Sequence, residues 1–444
     1  MTQNSLSRRS SNHSSFRACV ALTMLAGSTT AFAQAAFYPL GTAPTFNDSN
    51  GTAISADGLS IIRVSAKFEF PLGLVRKVEK IRAPWATPTA VELAQADLTL
   101  PQGVGVGLNQ AGSVAVGYGP LFESTLTKGL TWTDPSVIPA IGSSGGDAAE
   151  EYTDIAGTVP IVVGNKRFFA TSFYQPFFKS SAGVFDLAVI PGSTYNAANA
   201  VNGDGTVIVG YSQTDSGLGF GNNDVAVKWS GDLSGFPVEL GYITDDPSFR
   251  QSVALGVSGD GTTTVGRSNR GNGYGSFVSH PFRHTETFEM QDLFGDRFEQ
   301  AEAVDASFDG NVVVGNRYFG DGGGAPWVWV PWRGARDIEL VLTAAGVDLT
   351  RYSLFSCSSV SDDGRTVTGN AYSSVSGFQV VTWVAILPID CPADYDGDGF
   401  VTGEDFDTFV AAFENGDITA DFNGDGFVTG EDFDAYVVAF ESGC

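Results

Sequence analysis

The chain is poor in several residue types, and each shortage narrows what it does. Only three of its 444 residues are histidine, which leaves little material for imidazole metal sites or catalytic triads. Bases number 24 against 50 acids, for a net charge of −26, so the basic face that a nucleic acid or an anionic membrane surface requires is missing. Charged residues make up just 17% of the chain. No apolar run reaches membrane-spanning length, so no membrane span is expected. What abounds is glycine, at 55 residues. A chain this long exceeds one ordinary core, which points to several domains or a repeat array.

Residues 1–33 read as an export signal. Arg8, Arg9 and Arg17 form a basic start, Ala18 to Leu25 is apolar, and Ala31-Phe32-Ala33 supplies the small-x-small pattern of a cleavage site. Ser11 stands where a twin-arginine signal needs an apolar residue, so the export route is left open. The expected location is secreted or cell-surface, where disulfides are permitted. Cys391 and Cys444 bracket the C-terminal segment, and a bridge between them would close a loop of about 54 residues, worth roughly 4 kcal/mol. Cys357 is then the odd thiol, either a buried small residue or the partner in an intermolecular bridge.

Residues 34–389 repeat. Each unit runs through small residues, a turn ending in glycine, a β-branched strand and another glycine. The clear copies include Asn202-Gly-Asp-Gly205 before Val-Ile-Val-Gly210, and Ser307-Phe-Asp-Gly310 before Val-Val-Val-Gly315. The turn glycines 58, 112, 157, 205, 261, 310 and 364 lie 45 to 56 residues apart. Asp-Gly between two strands predicts a hairpin with a type I′ turn. An aromatic follows on a later strand: Trp85, Trp132, Phe185, Trp229, His284, Trp329 and Trp383. Four strands in about 50 residues is the size of a propeller blade. The last unit lacks its fourth strand, and Phe37-Tyr-Pro-Leu-Gly41 offers a spare one. The fold expected is therefore mainly β: a seven-bladed β-propeller whose chain ends share a blade, followed by a small helical module.

The units resemble the HAF repeats of bacterial extracellular proteins, on their small-residue strand with Asp-Gly, their Val-Val-Gly strand, and strands such as His280-Pro-Phe-Arg-His284 and Ala226-Val-Lys-Trp229. That resemblance implies a repeat fold and an extracellular location, and no reaction.

Residues 390–444 form a second domain built by duplication. Asp394-Tyr-Asp-Gly-Asp-Gly-Phe-Val-Thr-Gly-Glu-Asp405 returns 27 residues later as Asp421-Phe-Asn-Gly-Asp-Gly-Phe-Val-Thr-Gly-Glu-Asp432. Both fit the EF-hand loop, with oxygen ligands at positions 1, 3, 5, 7, 9 and 12 and glycine at 6. The expected metal ligands are Asp394, Asp396, Asp398, the Phe400 carbonyl, Thr402 and Asp405 in the first loop. In the second they are Asp421, Asn423, Asp425, the Phe427 carbonyl, Thr429 and Asp432. Hard oxygen donors in this number select Ca²⁺, one ion per loop. Each loop runs into a helix with an apolar stripe, Phe406, Phe409, Val410 and Phe413 and then Phe433, Tyr436, Val437 and Phe440, which reads as the module's own core.

The loop-helix plan, with Asp at position 12, is similar to a type I dockerin, especially the Cys-bounded modules that end secreted planctomycete proteins. The resemblance implies a protein partner, cohesin-like or an envelope component. Gly403-Glu404 and Gly430-Glu431 depart from the usual recognition residues, and the segment holds 15 acids and no base, so partner choice does not carry over.

No catalytic constellation stands out. Gly142-Ser-Ser-Gly-Gly146 lacks a strand-turn-helix context, and the turn aspartates are explained by turn chemistry. The expected function is a secreted, non-enzymatic calcium-binding protein whose propeller presents a surface, with a glycan as one possible ligand. The alternative is a secreted polysaccharide-active hydrolase or lyase with acid and base in the central funnel. A funnel lined by small residues argues against that enzyme; converging carboxylates with a basic or aromatic partner argue for it.

Overall fold

The computed structural model describes residues 35–388 and 392–442, apart from 71–72, 95–103, 121–126, 134–139, 142–147, 169–172, 215–222, 232, 245–249, 272–276, 296–298, 321–322, 376, 378, 396–400 and 423–426. The export signal and the expected Cys391–Cys444 bridge lie outside the described residues. Among the described residues, the strands form seven four-stranded antiparallel sheets, each in simple up-and-down order. This is the seven-bladed β-propeller that the repeat spacing predicts. Blades 1 to 6 begin at Asp48, Val104, Ala148, Ser193, Ser252 and Gln300. Blade 7 combines Tyr352–Val360, Thr366–Ser373 and Gln379–Ile386 with the N-terminal strand Ala36–Gly41, which pairs with Gln379–Ile386 from Ala36↔Ile386 onward. The spare strand thus closes the ring, as expected.

The repeated glycine after the β-branched run has a steric cause. Every first strand carries a β-bulge at the equivalent place, between Gly51 and Ala53, Tyr152 and Asp154, or Ala198 and Ala200, for example. The bulge pushes a carbonyl of the first strand toward the second. A Cβ at Gly210 would sit 1.8 Å from the Ala197 oxygen, and one at Gly315 2.1 Å from that of Glu302. Only glycine fits.

Blade 1 departs from this pattern. Its second strand has Arg63 opposite Gly51, and the guanidinium is buried. It bonds Glu79 through Nε (3.0 Å) and Nη2 (2.5 Å), and it donates through Nη1 to the Leu40 carbonyl of the closing strand at 2.8 Å.

Two local expectations are corrected. The Asp-Gly turns are not type I′: only the glycines, such as Gly58 (φ 67°) and Gly205 (φ 81°), have positive φ, and the aspartates do not. Each is a four-residue loop closed by an i to i+3 bond, as from Gly58 N–H to the Ser55 carbonyl at 2.9 Å. The aspartate serves as a side-chain acceptor, with Asp57 Oδ1 taking the Ser55 hydroxyl at 2.5 Å and the Leu59 N–H at 2.9 Å. The aromatics also do not share one register. Trp132, Trp229, His284 and Trp329 are equivalent, paired opposite Ala115, Ile208, Thr264 and Val313. Trp383 pairs with Gly369, two residues earlier in register, where blade 6 has Trp327 opposite Gly315. Phe185 lies on the outer strand Gly183–Asp186, and Trp85 lies beyond the strand Gly73–Arg82.

The blades are stitched by polar bonds as well as by apolar contact. Trp132 and Trp229 donate their indole N–H to Ala94 and Ala188 of the preceding blade's exit, both at 2.7 Å. Successive turns join by backbone bonds, Asp260 to Phe308, Phe308 to Asp362 and Asp362 to Ala56, each 2.9 Å. Helix α1 (Ile338–Ala344) packs its buried Ile338, Val341 and Leu342 between blades 6 and 7. Cys357 is 2% exposed in that same cluster, so the buried reading of this thiol is the one found.

Candidate functional site

Two places were singled out by the sequence, the central channel and the C-terminal loops. The channel encloses about 220 Å³ and is lined by the first strand of every blade. The bulges decide what faces it. The extra residue in each, Thr52, Val106, Thr153, Asn199, Leu255, Val304 or Ser358, lines the channel. Several of these spend their polar atoms on the next blade: Thr153 donates to Ala198 O (2.9 Å), Asn199 to Ala254 O (2.7 Å) and Ser358 to Gly51 O (2.7 Å). Asparagine after the Val-Val-Gly glycine does the same from behind. Asn165 accepts from Ala198 N–H at 2.9 Å, and Asn316 accepts from Cys357 N–H at 2.7 Å.

The residue after each bulge is Ala53, Gly107, Asp154, Ala200, Gly256, Asp305 or Ser359 in blade order. Two carboxylates therefore enter an otherwise small-residue ring, and sequence reasoning missed both. Asp154 takes the Ile155 N–H on Oδ1 (2.8 Å) and the Val201 N–H of the next blade on Oδ2 (3.0 Å). Asp305 takes the Ala306 N–H on Oδ1 (2.9 Å), and on Oδ2 the Ser359 hydroxyl (2.7 Å) and the Val360 N–H (2.9 Å) of the next blade. Both lie deep in the molecule yet keep part of their surface on the channel. Loss of water raises Asp154 to about 7 and Asp305 to about 6; the hydrogen bonds work against this rise, and Asp305 adds to that of Asp154. Their only signal in the sequence is an acid inside a small-residue first strand, Thr153-Asp-Ile155 and Val304-Asp-Ala306. Among the described residues, the lining contains no histidine, base or aromatic.

At the C-terminus, the duplicated loops lead into α2 (Gly403–Glu414) and α3 (Gly430–Ser442). The apolar stripes meet as expected. Phe409 and Tyr436 are both 0% exposed and stack at 3.9 Å, with Phe406, Phe413, Phe433 and Phe440 around them. Of the expected metal ligands, Asp396, Asp398, Phe400, Asn423 and Asp425 lie outside the described residues. Asp394 is 7% exposed, and Asp405 and Asp432 are fully buried. The Phe427 side chain is 70% exposed.

Position 12 has a second task that the sequence reading passed over. Asp405 Oδ2 accepts the Thr402 N–H at 2.8 Å while Thr402 Oγ1 accepts the Glu404 N–H at 3.2 Å, so Thr402 and Asp405 form a capping box at the start of α2. Thr429 and Asp432 repeat it at 2.7 Å, with the Glu431 N–H on Thr429 Oγ1 at 3.3 Å. The Thr-x-x-Asp spacing was the legible signal. In the second loop Asp432 Oδ1 also accepts the N–H of Phe422 at 2.9 Å. That bond draws position 2 of the second loop onto position 12. The described ends of the loops fit a hard cation in donor type and burial. Among the described residues alone, no group of three or more His, Cys, Asp or Glu is close enough to hold a metal.

The module meets the propeller on the side carrying the Asp-Gly turns. Arg333 donates to the Asp394 carbonyl at 3.1 Å, and Pro392 and Phe422 help to line a cleft of about 430 Å³ with Trp332 and Leu387. Among the described residues no helix is long and apolar enough to cross a membrane.

No protein-family model matches the chain, and no curated protein sequence matches it. Solved structures do. The β-propeller domain of the Trilobed protease from Pyrococcus furiosus, described as having an open velcro topology, aligns with a TM-score of 0.52 at 9% identity, over 76% of this chain and 96% of that one. Acylaminoacyl peptidase from Pyrococcus horikoshii aligns with a TM-score of 0.50 at 9% identity, over 78% of this chain and 52% of that one. At such identities the likeness is one of fold alone, and the ring here differs from an open one in its closing strand. The chain is a seven-bladed β-propeller with a C-terminal helical pair.

Proposed function

We propose that the chain is an exported, non-enzymatic binding protein of HAF-like repeats. Its propeller presents a ligand surface, and its dockerin-like module binds two Ca²⁺ and tethers it to a protein partner. The observation that carries the calcium reading is the pair of duplicated acidic loops, each ending in a fully buried aspartate, with Phe422 N–H on Asp432 closing the second loop. Bound calcium would supply positive charge to a segment of 15 acids and no base, and so favour its folded form. The channel supports the non-enzymatic side: several of its polar side chains serve the joints between blades, and its three carboxylates, Asp154, Asp305 and Asp362, have no basic or aromatic neighbour among the described lining residues.

The test is calorimetric titration of the full mature chain with Ca²⁺, alongside the double variant D405N/D432N. The expected result is saturable binding of two ions with a rise in melting temperature that chelator reverses; at a hundredfold excess over Kd the stabilisation would be about 2.7 kcal/mol per site. Absence of saturable binding by the unaltered chain sinks the calcium reading. Hydrolysis of a polysaccharide that D154N or D305N abolishes would replace the non-enzymatic reading with the enzyme.

A further inference from the structure

Residues 393 and 394 stand where three parts of the molecule meet. The Asp394 carbonyl accepts from Arg333 Nη2 at 3.1 Å, and Arg333 lies in the turn between the last two strands of blade 6. The carbonyl of the preceding residue, Ala393, accepts the Tyr436 hydroxyl of α3 at 3.3 Å, and Ala393 is fully buried. The Asp394 side chain, 7% exposed, is the first expected ligand of the first loop. One short stretch of backbone thus ties the propeller, the module's last helix and a metal loop together. The second loop is closed within the module instead, by the Phe422 N–H on Asp432 Oδ1.

The rest of the joint is loosely packed. Beside the Arg333 bond, Trp332 and Leu387 from the propeller and Pro392 and Phe422 from the module share the lining of the cleft of about 430 Å³. Trp332 Nε1 is buried with no acceptor among the described residues, a cost that close polar matching would have removed. A gap of this size also forfeits dispersion contacts on both of its sides.

Charge does not make up for that. The cleft is lined by three acids, Asp309, Asp362 and Asp363, and two bases, Arg336 and Arg365. Asp309 and Asp363 are taken up in their own turns, by the Ser307 and Ser361 hydroxyls at 2.8 and 2.5 Å. Burial pushes the Asp362 carboxyl up, and Asp363 adds to the rise. Against this surface the module brings 15 acids and no base. The Arg333 bond therefore holds together two bodies whose summed charges oppose contact.

We infer that the first loop, once loaded with its metal, seats the module on the propeller, and that Arg333 is the positioning residue that reads the loop through the Asp394 carbonyl. Bound Ca²⁺ would neutralise carboxylates that otherwise repel one another. In the loaded chain Asp394 is fixed by its side chain, so its carbonyl is held toward Arg333. In the unloaded chain the acidic loop spreads, that carbonyl leaves the guanidinium, and the module is free to turn on the segment that follows Leu387. The inference rests on the calcium reading of the proposed function and adds to it that loading sets the angle of the tether.

The test is hydrogen exchange of the full mature chain with Ca²⁺ and with chelator, beside calorimetric Ca²⁺ titration. Calcium should slow the amides of residues 333–336 and 393–395 roughly tenfold or more, the equilibrium effect of one hydrogen bond to a charged group. R333M should still bind two ions and protect α2 and α3, yet lose the added protection at residues 333–336. R333K keeps a donor and should recover part of it. D394N leaves the propeller unaltered and serves should R333M fold poorly; it should lose the same protection while the second loop still binds. Two bound ions with residues 333–336 exchanging equally fast in calcium and in chelator overturn this inference and leave the calcium reading standing. Full calcium-dependent protection in R333M or in D394N overturns it too. No saturable binding by the unaltered chain overturns both readings together.

Discussion

Removing Glu79 should loosen the ring at its closure. Arg63 and Glu79 are 4% and 3% exposed, and the guanidinium is shared between that carboxylate and the Leu40 and Gly41 carbonyls of the closing strand, at 2.8 and 3.3 Å. Lys77 Nζ lies 3.1 Å from the other Glu79 oxygen. E79A would leave a buried guanidinium with carbonyl partners and no counter-charge, a change that costs about 3–5 kcal/mol. With an unfolding entropy near 2.1 cal/mol/K per residue, a propeller of about 350 residues would lose roughly 4–7 °C in melting temperature. Calorimetry measures this, and hydrogen exchange should show faster amides in Ala36–Gly41 than in the other blades. The double variant R63M/E79L removes both charges together and should be less destabilised than E79A, because desolvating the pair offsets much of its attraction. A double variant at least as unstable as E79A would refute the reasoning, since the loss would then come from the carbonyls and not from the stranded charge.

Three further outcomes follow from the blades. G210A should destabilise by about 1–3 kcal/mol or more, because its Cβ meets the Ala197 oxygen at 1.8 Å, and thermal melts should show less loss for G231A, whose φ is 77° but whose surroundings are open. Asp154 and Asp305 carry raised values of about 7 and about 6, so the folded state holds protons that the unfolded chain has released above about pH 4. Their contribution to stability therefore falls as pH rises from about 4 to about 7, and urea midpoints across that range should show a shallower decline in D154N. W229F removes the indole bond to Ala188 (2.7 Å) and should cost about 1–3 kcal/mol, with W132F costing a similar amount through Ala94.

Much of the architecture was legible because its causes are local. The left-handed glycine of each turn is demanded by the backbone itself, so it recurs at every blade and its count gave the number of blades; the second glycine recurs for a similar reason in every blade but the first, where Arg63 replaces it. The missing fourth strand and the spare N-terminal one were legible for the same reason: each blade needs four. What escaped depends on partners one blade away. Asp154 looks like any acid in a strand until the Val201 N–H of the next blade is placed on it. Asn165 and Asn316 look like turn residues until their pairing with Ala198 and Cys357 is seen. The aromatic positions misled because a ring can fill the space between blades from more than one register, as Trp327 and Trp329 do within one strand. In the module, the acidic loops were obvious, while the capping role of Asp405 and Asp432 was hidden behind the metal pattern that uses the same residues.

The closure of the ring also sets how the molecule would bear a load. In blade 7 the order is the N-terminal strand, then Gln379–Ile386, then Thr366–Ser373, then Tyr352–Val360. The C-terminal module leaves from Gln379–Ile386, which is an interior strand clasped on both edges, not a free one. A pull on the module runs along that strand and is resisted in shear by two hydrogen-bonded ladders at once. One ladder belongs to the N-terminal strand that Arg63 grips from blade 1. A propeller anchored by its tail would thus pass tension into a strand paired on both edges, in the blade that joins the two ends of the chain.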